Sequence, residues 1–239
     1  MSEDPIKDGN NWYSYAGNNP VMYIDPSGEK IILNGSYEEK KEALRVMQIL
    51  TDDWININWD TGEVWIEYEY SDGPKINGTN LIRNLVKHER TVTINTVYSP
   101  DDTNRTVYEN EGAYWNDSYQ QFGAGSDSTI YFNQLYPAYT EVEELGKVVS
   151  PSYITLGHEL IHALRGANGN VKYSTAGSPY GKYFPGDGTV GYDIKREEAE
   201  TTGLDYADTL NHKVVTASTW LTIENSLRAE QGLPKRIIY

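Results

Sequence analysis

The sequence predicts one α+β domain with a small mixed sheet and a short irregular appendage. Three observations carry this. Segments with strand-like alternation and segments with a helical apolar repeat are interleaved along the chain rather than grouped. The length, 239 residues, suits one domain with a full core and little beyond it. Hydrophobic residues make up 38% of the chain, but no apolar run approaches membrane-spanning length, so a soluble protein is expected.

Taken in order, residues 4–28 are rich in Gly, Asn, Pro and Tyr, lack helical periodicity, and form the appendage. From Lys30 the composition changes. Ile31-Ile32-Leu33 reads as a short strand closed by Asn34-Gly35, and Ser36 caps a helix over 37–51 with Ala43, Leu44, Met47, Ile49 and Leu50 near one face. Residues 64–70 alternate and read as a strand, followed by a helix over 78–89 and a strand near 91–98. Residues 99–127 are rich in Asp, Asn, Gly and Ser and read as loop, and 129–132 as a strand. Ser150 as N-cap and Pro151 at the first helical position open a helix that runs to about Arg165 and stops at Gly166. Residues 166–191 hold seven glycines and are expected to form a long loop of the kind that serves as a lid. Helices over 194–208 and 222–231 close the chain, the last ending at Gly232.

Composition narrows the chemistry. The chain has no cysteine, which removes disulfides, thiolate metal sites and cysteine nucleophiles. A net charge of -15 argues against nucleic acid as a partner, because phosphate binding needs basic surface. The first residues lack the layout of a secretory signal, so export would depend on a parent chain or a dedicated machine.

One constellation carries a reaction. In His158-Glu159-Leu160-Ile161-His162 the two histidines stand four apart and project from the same helical face, where they can hold one Zn²⁺. Glu159 is turned out of the ligand row yet within reach of a water whose pKa the metal lowers, and it takes that water's proton during attack on a carbonyl. The bland alternative is a solvated helix with two ordinary histidines. Against it, the flanking Tyr153, Ile154, Leu156, Leu160, Ile161, Ala163 and Leu164 predict burial, and buried histidines need partners. With His88 and His212 as the remaining histidines, the third ligand is expected from a carboxylate of Glu197-Glu198-Ala199-Glu200. Composition does not choose among the three glutamates, and an acidic solvated face is the competing reading.

His158-Glu159-Leu160-Ile161-His162-Ala163 followed by Glu197-Glu198-Ala199-Glu200-Thr201-Thr202-Gly203 resembles the zinc site of clostridial neurotoxin light chains, and zinc aminopeptidases and thermolysin-like enzymes share a small residue three positions after the ligand glutamate. The resemblance selects Glu198 as third ligand, with Glu197 orienting a ligand histidine and Thr201 three positions on. Ile223-Glu224-Asn225-Ser226-Leu227-Arg228, Gly232-Leu233-Pro234-Lys235-Arg236 and Tyr239 are similar to the close of NleD-type effector metallopeptidases. This resemblance covers about 150–239 and implies a zincin-like, gluzincin-type endopeptidase with one zinc per chain. It also implies an Arg and a Tyr at the scissile carbonyl: Arg236 and Tyr239, with Arg228 as a rival, whose plain alternative is an ion pair with Glu224.

Asp4-Pro5-Ile6, Tyr13-Ser14-Tyr15-Ala16-Gly17-Asn18-Asn19-Pro20 and Tyr23-Ile24-Asp25-Pro26-Ser27-Gly28 resemble the end of the core module of RHS-repeat proteins, with Lys7 departing from the usual pattern. The implied organisation is an RHS-core end with its release site over 1–28 and a metallopeptidase toxin over 29–239. The implied setting is a toxin delivered into a target cell, with a protein substrate there, a parent RHS cocoon and a cognate immunity protein. No heptad or interface stripe argues against a monomer. Two other readings remain at this stage: a toxin that acts by partner binding around a structural zinc, and a zinc amidase or deamidase.

Overall fold

The computed structural model describes residues 31–99, 102–116, 119, 121–136, 138–142, 145–172, 180–183, 192–204, 206–208, 213–215 and 222–238. The apolar strands of the first half meet in a six-stranded sheet. Its members are β1 (Ile31–Asn34), β2 (Trp54–Ile57), β3 (Glu63–Tyr68), β4 (Val92–Thr96), β5 (Arg105–Tyr108) and β6 (Ser128–Phe132). They lie in the order β2-β3-β1-β4-β6-β5. β1, β4 and β6 run parallel, whereas β2, β3 and β5 are antiparallel to their neighbours, so the sheet is mixed as expected. Among the described residues the helices are α1 (Tyr37–Leu50), α2 (Ile76–Val86), α3 (Ser152–Ala167), α4 (Arg196–Thr202) and α5 (Glu224–Glu230). α3 lies on β5 and β6 and is flanked by α1, α2 and α5. Ile31, Leu33, Met47, Ile94, Ile130 and Phe132 are fully buried between these layers. Each such side chain contributes about 1.5–3 kcal/mol by leaving water.

Local chemistry fixes the helix ends. Ser36 and Glu39 form a reciprocal cap at α1: Glu39 N–H donates to Ser36 Oγ, and Ser36 N–H donates to Glu39 Oε2 at 2.6 Å. α2 has no capping side chain of its own, and the N–H groups of Asn77 and Gly78 donate instead to the carboxylate of Glu230 on α5. A Cβ on Gly78 would lie 1.9 Å from the carbonyl oxygen of Leu50, so α2 begins backbone against backbone on the end of α1.

The second half adds two small sheets. β7 (Tyr139–Val142) and β8 (Gly146–Val149) form a hairpin. β9 (Tyr180–Tyr183), β10 (Tyr192–Lys195), β11 (Tyr206–Asp208) and β12 (Lys213–Val215) make a sheet of order β10-β9-β11-β12, and β13 (Arg236–Ile238) joins β7 in the order β13-β7-β8.

Several expectations need correction. The stretch expected as loop over 99–127 contains β5 and a one-turn 3-10 helix, Glu111–Ala113, and β5 is a strand because β6 offers it a free edge. The helix expected over 194–208 is split. β10 runs through Lys195, α4 lasts seven residues, and Gly203 at φ 85° turns the chain into β11. α3 starts at Ser152, not one residue earlier, and Pro151 takes the cap position. Ser150 is drawn out of the helix because its N–H donates to Ala138 O at 2.7 Å and its hydroxyl accepts from Arg228. β2, β7, β8, β12 and β13 have no counterpart in the sequence reading, and β9 occupies part of the expected long loop. The RHS-like segment, residues 4–28, lies outside the described residues.

Candidate metal centre

α3 is apolar on most of its surface and is accordingly enclosed on most sides. His158, Glu159 and His162 are each only 6–7% exposed. The one-turn spacing brings His158 Nε2 within 3.0 Å of His162 Nε2. Glu198 Oε2, reaching over from α4, lies 3.2 Å from the first and 3.3 Å from the second. Among the described residues these three side chains form a cluster with metal-ligand geometry. A tetrahedral ion with bonds of about 2.0–2.2 Å requires ligand–ligand edges of about 3.3–3.6 Å, and the observed edges fall at or just below that range.

The outer ring nitrogens decide the tautomers. His158 Nδ1 is 2.9 Å from Glu224 Oε2, and His162 Nδ1 is 3.2 Å from Glu197 Oε1. Carboxylates only accept, so each Nδ1–H donates outward and each Nε2 turns a lone pair towards the other and towards Glu198. Three lone pairs converging in a buried space need a cation between them. In a metal-free chain protons take that part. Burial works against protonated His162, but the carboxylates of Glu197 and Glu198 outweigh it and raise its pKa to about 10. For His158 burial is likewise overcome by Glu198 and Glu224. The carboxyls of Glu198 and Glu224 are held well below their usual range, against burial, by hydrogen bonds to the histidines. The donor set therefore fits Zn²⁺, which would bind in competition with protons.

The choice among the three glutamates of α4 is made by Arg165, itself 5% exposed at the end of α3. Its Nε donates to Glu197 Oε1 at 2.6 Å, and its Nη2 donates to Glu197 Oε2 at 3.0 Å and to Glu200 Oε2 at 2.6 Å. Glu197 also accepts from Lys172 N–H and is held at a pKa of about 2, burial opposing and the Arg165 charge prevailing. With Glu197 and Glu200 engaged in this way, Glu198 is the carboxylate of α4 that faces both imidazole Nε2 atoms. The buried Thr201 hydroxyl lies 3.3 Å from His162 Nδ1.

Beside the cluster opens a cavity of about 370 Å³ whose lining includes His158, Glu159, Thr140, Thr155 and Arg236. Glu159 Oε2 accepts a hydrogen bond from Thr106 Oγ1 on β5 at 2.7 Å. Arg236 reaches the cavity from β13, with Nη1 donating to Glu224 Oε2 at 2.8 Å. Arg228 does not belong with them. It is 1% exposed, and it donates to Glu224 Oε1, Ser150 Oγ and Pro234 O, the helical pairing with Glu224 having claimed its guanidinium. Tyr239 lies outside the described residues. Two groups at the site, Arg165 and Thr106, had no sequence signal, and Glu224 was expected only as a partner of Arg228, not of His158.

Residues 68–239 match the sequence profile of Peptidase M91, described as "Effector protein". The chain belongs to the Peptidase M91 effector family. This membership bears out the expected effector peptidase, and the matched segment of this M91 chain contains every residue of the centre named above. Residues 1–28 lie outside the match. No curated protein matches the chain. A solved structure of the Clostridium botulinum neurotoxin serotype F light chain matches at 22% identity and a TM-score of 0.29, covering 50% of this M91 chain and 28% of the neurotoxin chain.

Proposed function

We propose that the chain is a zinc-dependent endopeptidase that hydrolyses a peptide bond in a protein of the cell it enters. The observation that carries this reading is the triangle of His158 Nε2, His162 Nε2 and Glu198 Oε2, with its tautomers fixed from outside and Glu159 beside it on the same cavity. A zinc ion held there supplies Lewis-acid polarisation and a water of lowered pKa. Glu159 takes the proton of the attacking water. Water oxygen bonds to the carbonyl carbon, the C–N bond breaks, and the proton passes to the departing amine. Thr106 keeps one oxygen of Glu159 occupied as an acceptor, which fixes the orientation of the other. Glu224 and Glu197 hold the ligand histidines, and Thr201 packs its hydroxyl against His162. Arg236, on the cavity wall, is assigned to the charge that develops on the carbonyl oxygen, with Tyr239 three residues later as its companion.

The wider setting is part of the same proposal and is supported by the Asp-Pro and Tyr/Asn/Gly motifs of residues 4–28. In it the chain is the C-terminal tip of an RHS protein, released near residue 28, monomeric, delivered into a target cell and neutralised by an immunity protein. Among the described residues no helix is long and apolar enough to cross a membrane.

Purified parent, Glu159→Gln and Glu198→Ala proteins are to be compared for bound zinc and for cleavage of target-cell proteins. The parent and Glu159→Gln should carry one zinc each, Glu198→Ala should lose it, and both variants should lose cleavage. Full activity in Glu159→Gln would overturn the peptidase mechanism in favour of a toxin that binds a partner around a structural zinc. Zinc-dependent toxicity without peptide cleavage would turn the reading to an amidase or deamidase.

A further inference from the structure

The cleft does not end at the metal centre. A second cavity, of about 340 Å³, adjoins the one that holds His158, Glu159 and Arg236, and Tyr136, Ser150 and Thr155 line both. Each of these three is partly open to solvent, so together they form a sill over which a peptide can pass. The helix gives the distance. Thr155 and Ser152, on the wall of the second cavity, precede His158 by nearly one and two turns of α3. At 1.5 Å per residue, Ser152 lies about 9 Å back along the axis from His158. An extended peptide advances about 3.3 Å per residue, so the second cavity meets a side chain roughly three residues from the bond that is cut.

The lining fixes the chemistry. Among the described residues no charged side chain borders this second cavity, and a charge enclosed there without a partner would be costly. Asn133, Ser150 and Thr155 are already engaged within the fold. Asn133 Nδ2 donates to Ser99 O and Asp102 O, Ser150 Oγ accepts from Arg228, and Thr155 Oγ1 donates to Pro151 O. By contrast Leu135 and Val149 stand 68% and 56% exposed at its edge, with Tyr136 and Pro151 beside them. Val149 is on the outward face of the β7–β8 hairpin, opposite the exposed Tyr139. An apolar group from a partner gains by covering such side chains.

We propose that the second cavity is a specificity subsite, which takes a large apolar side chain of the substrate (Leu, Ile, Met or Phe) about three residues from the scissile bond. This rests on the peptidase reading of the neighbouring cavity. Leu135 and Val149 are binding residues and take no part in bond cleavage.

The test gives the zinc-loaded chain a peptide library, made by tryptic digestion of a bacterial lysate, and reads the residues around each new cut by mass spectrometry. The parent should enrich Leu, Ile, Met and Phe about tenfold near the third residue on one side of the cut. Leu135→Ser and Val149→Ser should each lower that enrichment, and Leu135→Lys should replace it with a preference for Asp and Glu. The enrichment is a ratio within each protein's own products, so a general loss of activity does not imitate it. Binding is read separately by passing the same library over immobilised Glu159→Gln chain, which should retain apolar peptides and lose that selectivity when Leu135→Lys is added. No apolar preference near that residue, or one that the Leu135 and Val149 variants share with the parent, overturns the proposal and leaves the peptidase intact. A preference of the parent for Asp or Glu there also overturns it, in favour of the uncapped N-terminus of α3 as the recognising group. No cut in any peptide by a parent that carries zinc overturns the peptidase reading itself, and the subsite with it.

Discussion

Glu224 serves three cations or potential cations with one carboxylate. Oε2 takes His158 Nδ1–H and Arg236, while Oε1 takes Arg228, and the whole group is buried. Replacing it by glutamine keeps the size but removes the charge on which His158 leans. Glu224→Gln should weaken zinc affinity about 10- to 100-fold, as read by competition with a chelator, and an affinity equal to the parent's would refute the orienting role. At this scale the sequence was readable where a periodicity sets the contact. His158 and His162 meet because a helix brings every fourth residue round to the same side. Glu198 was reached through resemblance, and what physically singles it out is the capture of Glu197 and Glu200 by Arg165. Glu224 was not legible as a partner of His158, because 66 residues and several turns of chain separate them.

Among elements, those with strong local signals were found close to their true limits: α1 with its Ser36 cap, β1, β4 and β6. Those made by their neighbours were missed. β5 is a polar tetrapeptide that becomes a strand at the free edge of β6, and α4 is cut short by Gly203 where helical composition would have continued. The junction of α1 and α2 shows how little slack such contacts have. In Gly78→Ala the gain in helix propensity, about 1 kcal/mol, is outweighed by the overlap with Leu50 O, since backbone cannot turn aside as a side chain can. A net loss of about 1–3 kcal/mol is expected from urea unfolding, and a variant as stable as the parent would show that α2 can shift without cost.

For the molecule as a whole, acidity sets the conditions of stability. Asp53 is fully buried and receives a two-pronged bond from Arg83, at 2.5 and 2.6 Å, together with the N–H of Tyr70. Burial opposes its ionised form, yet Arg83 and the Tyr70 amide prevail and depress its pKa. A depressed carboxyl stabilises the fold at pH values above the unfolded value of about 3.9, and the contribution is lost as pH falls through the lower folded value. Asp53→Asn should therefore lose about 3–5 kcal/mol near neutrality, and its unfolding curve should be flatter than the parent's below about pH 4. Parallel acid limbs in melts of the two proteins would exclude this linkage. The strand order β2-β3-β1-β4-β6-β5 was not legible in the sequence, because it depends on which edges remain open after each pairing. α5 and β13 come last in the described chain, yet they bring Glu224 and Arg236 to the centre. A polypeptide still being synthesised, or threaded through a narrow passage from its front end, thus holds His158, His162 and Glu198, the cluster that could hold a metal, before it holds their supports. Among the described elements the centre is thus completed last, by side chains that arrive after the helix they steady is already in place.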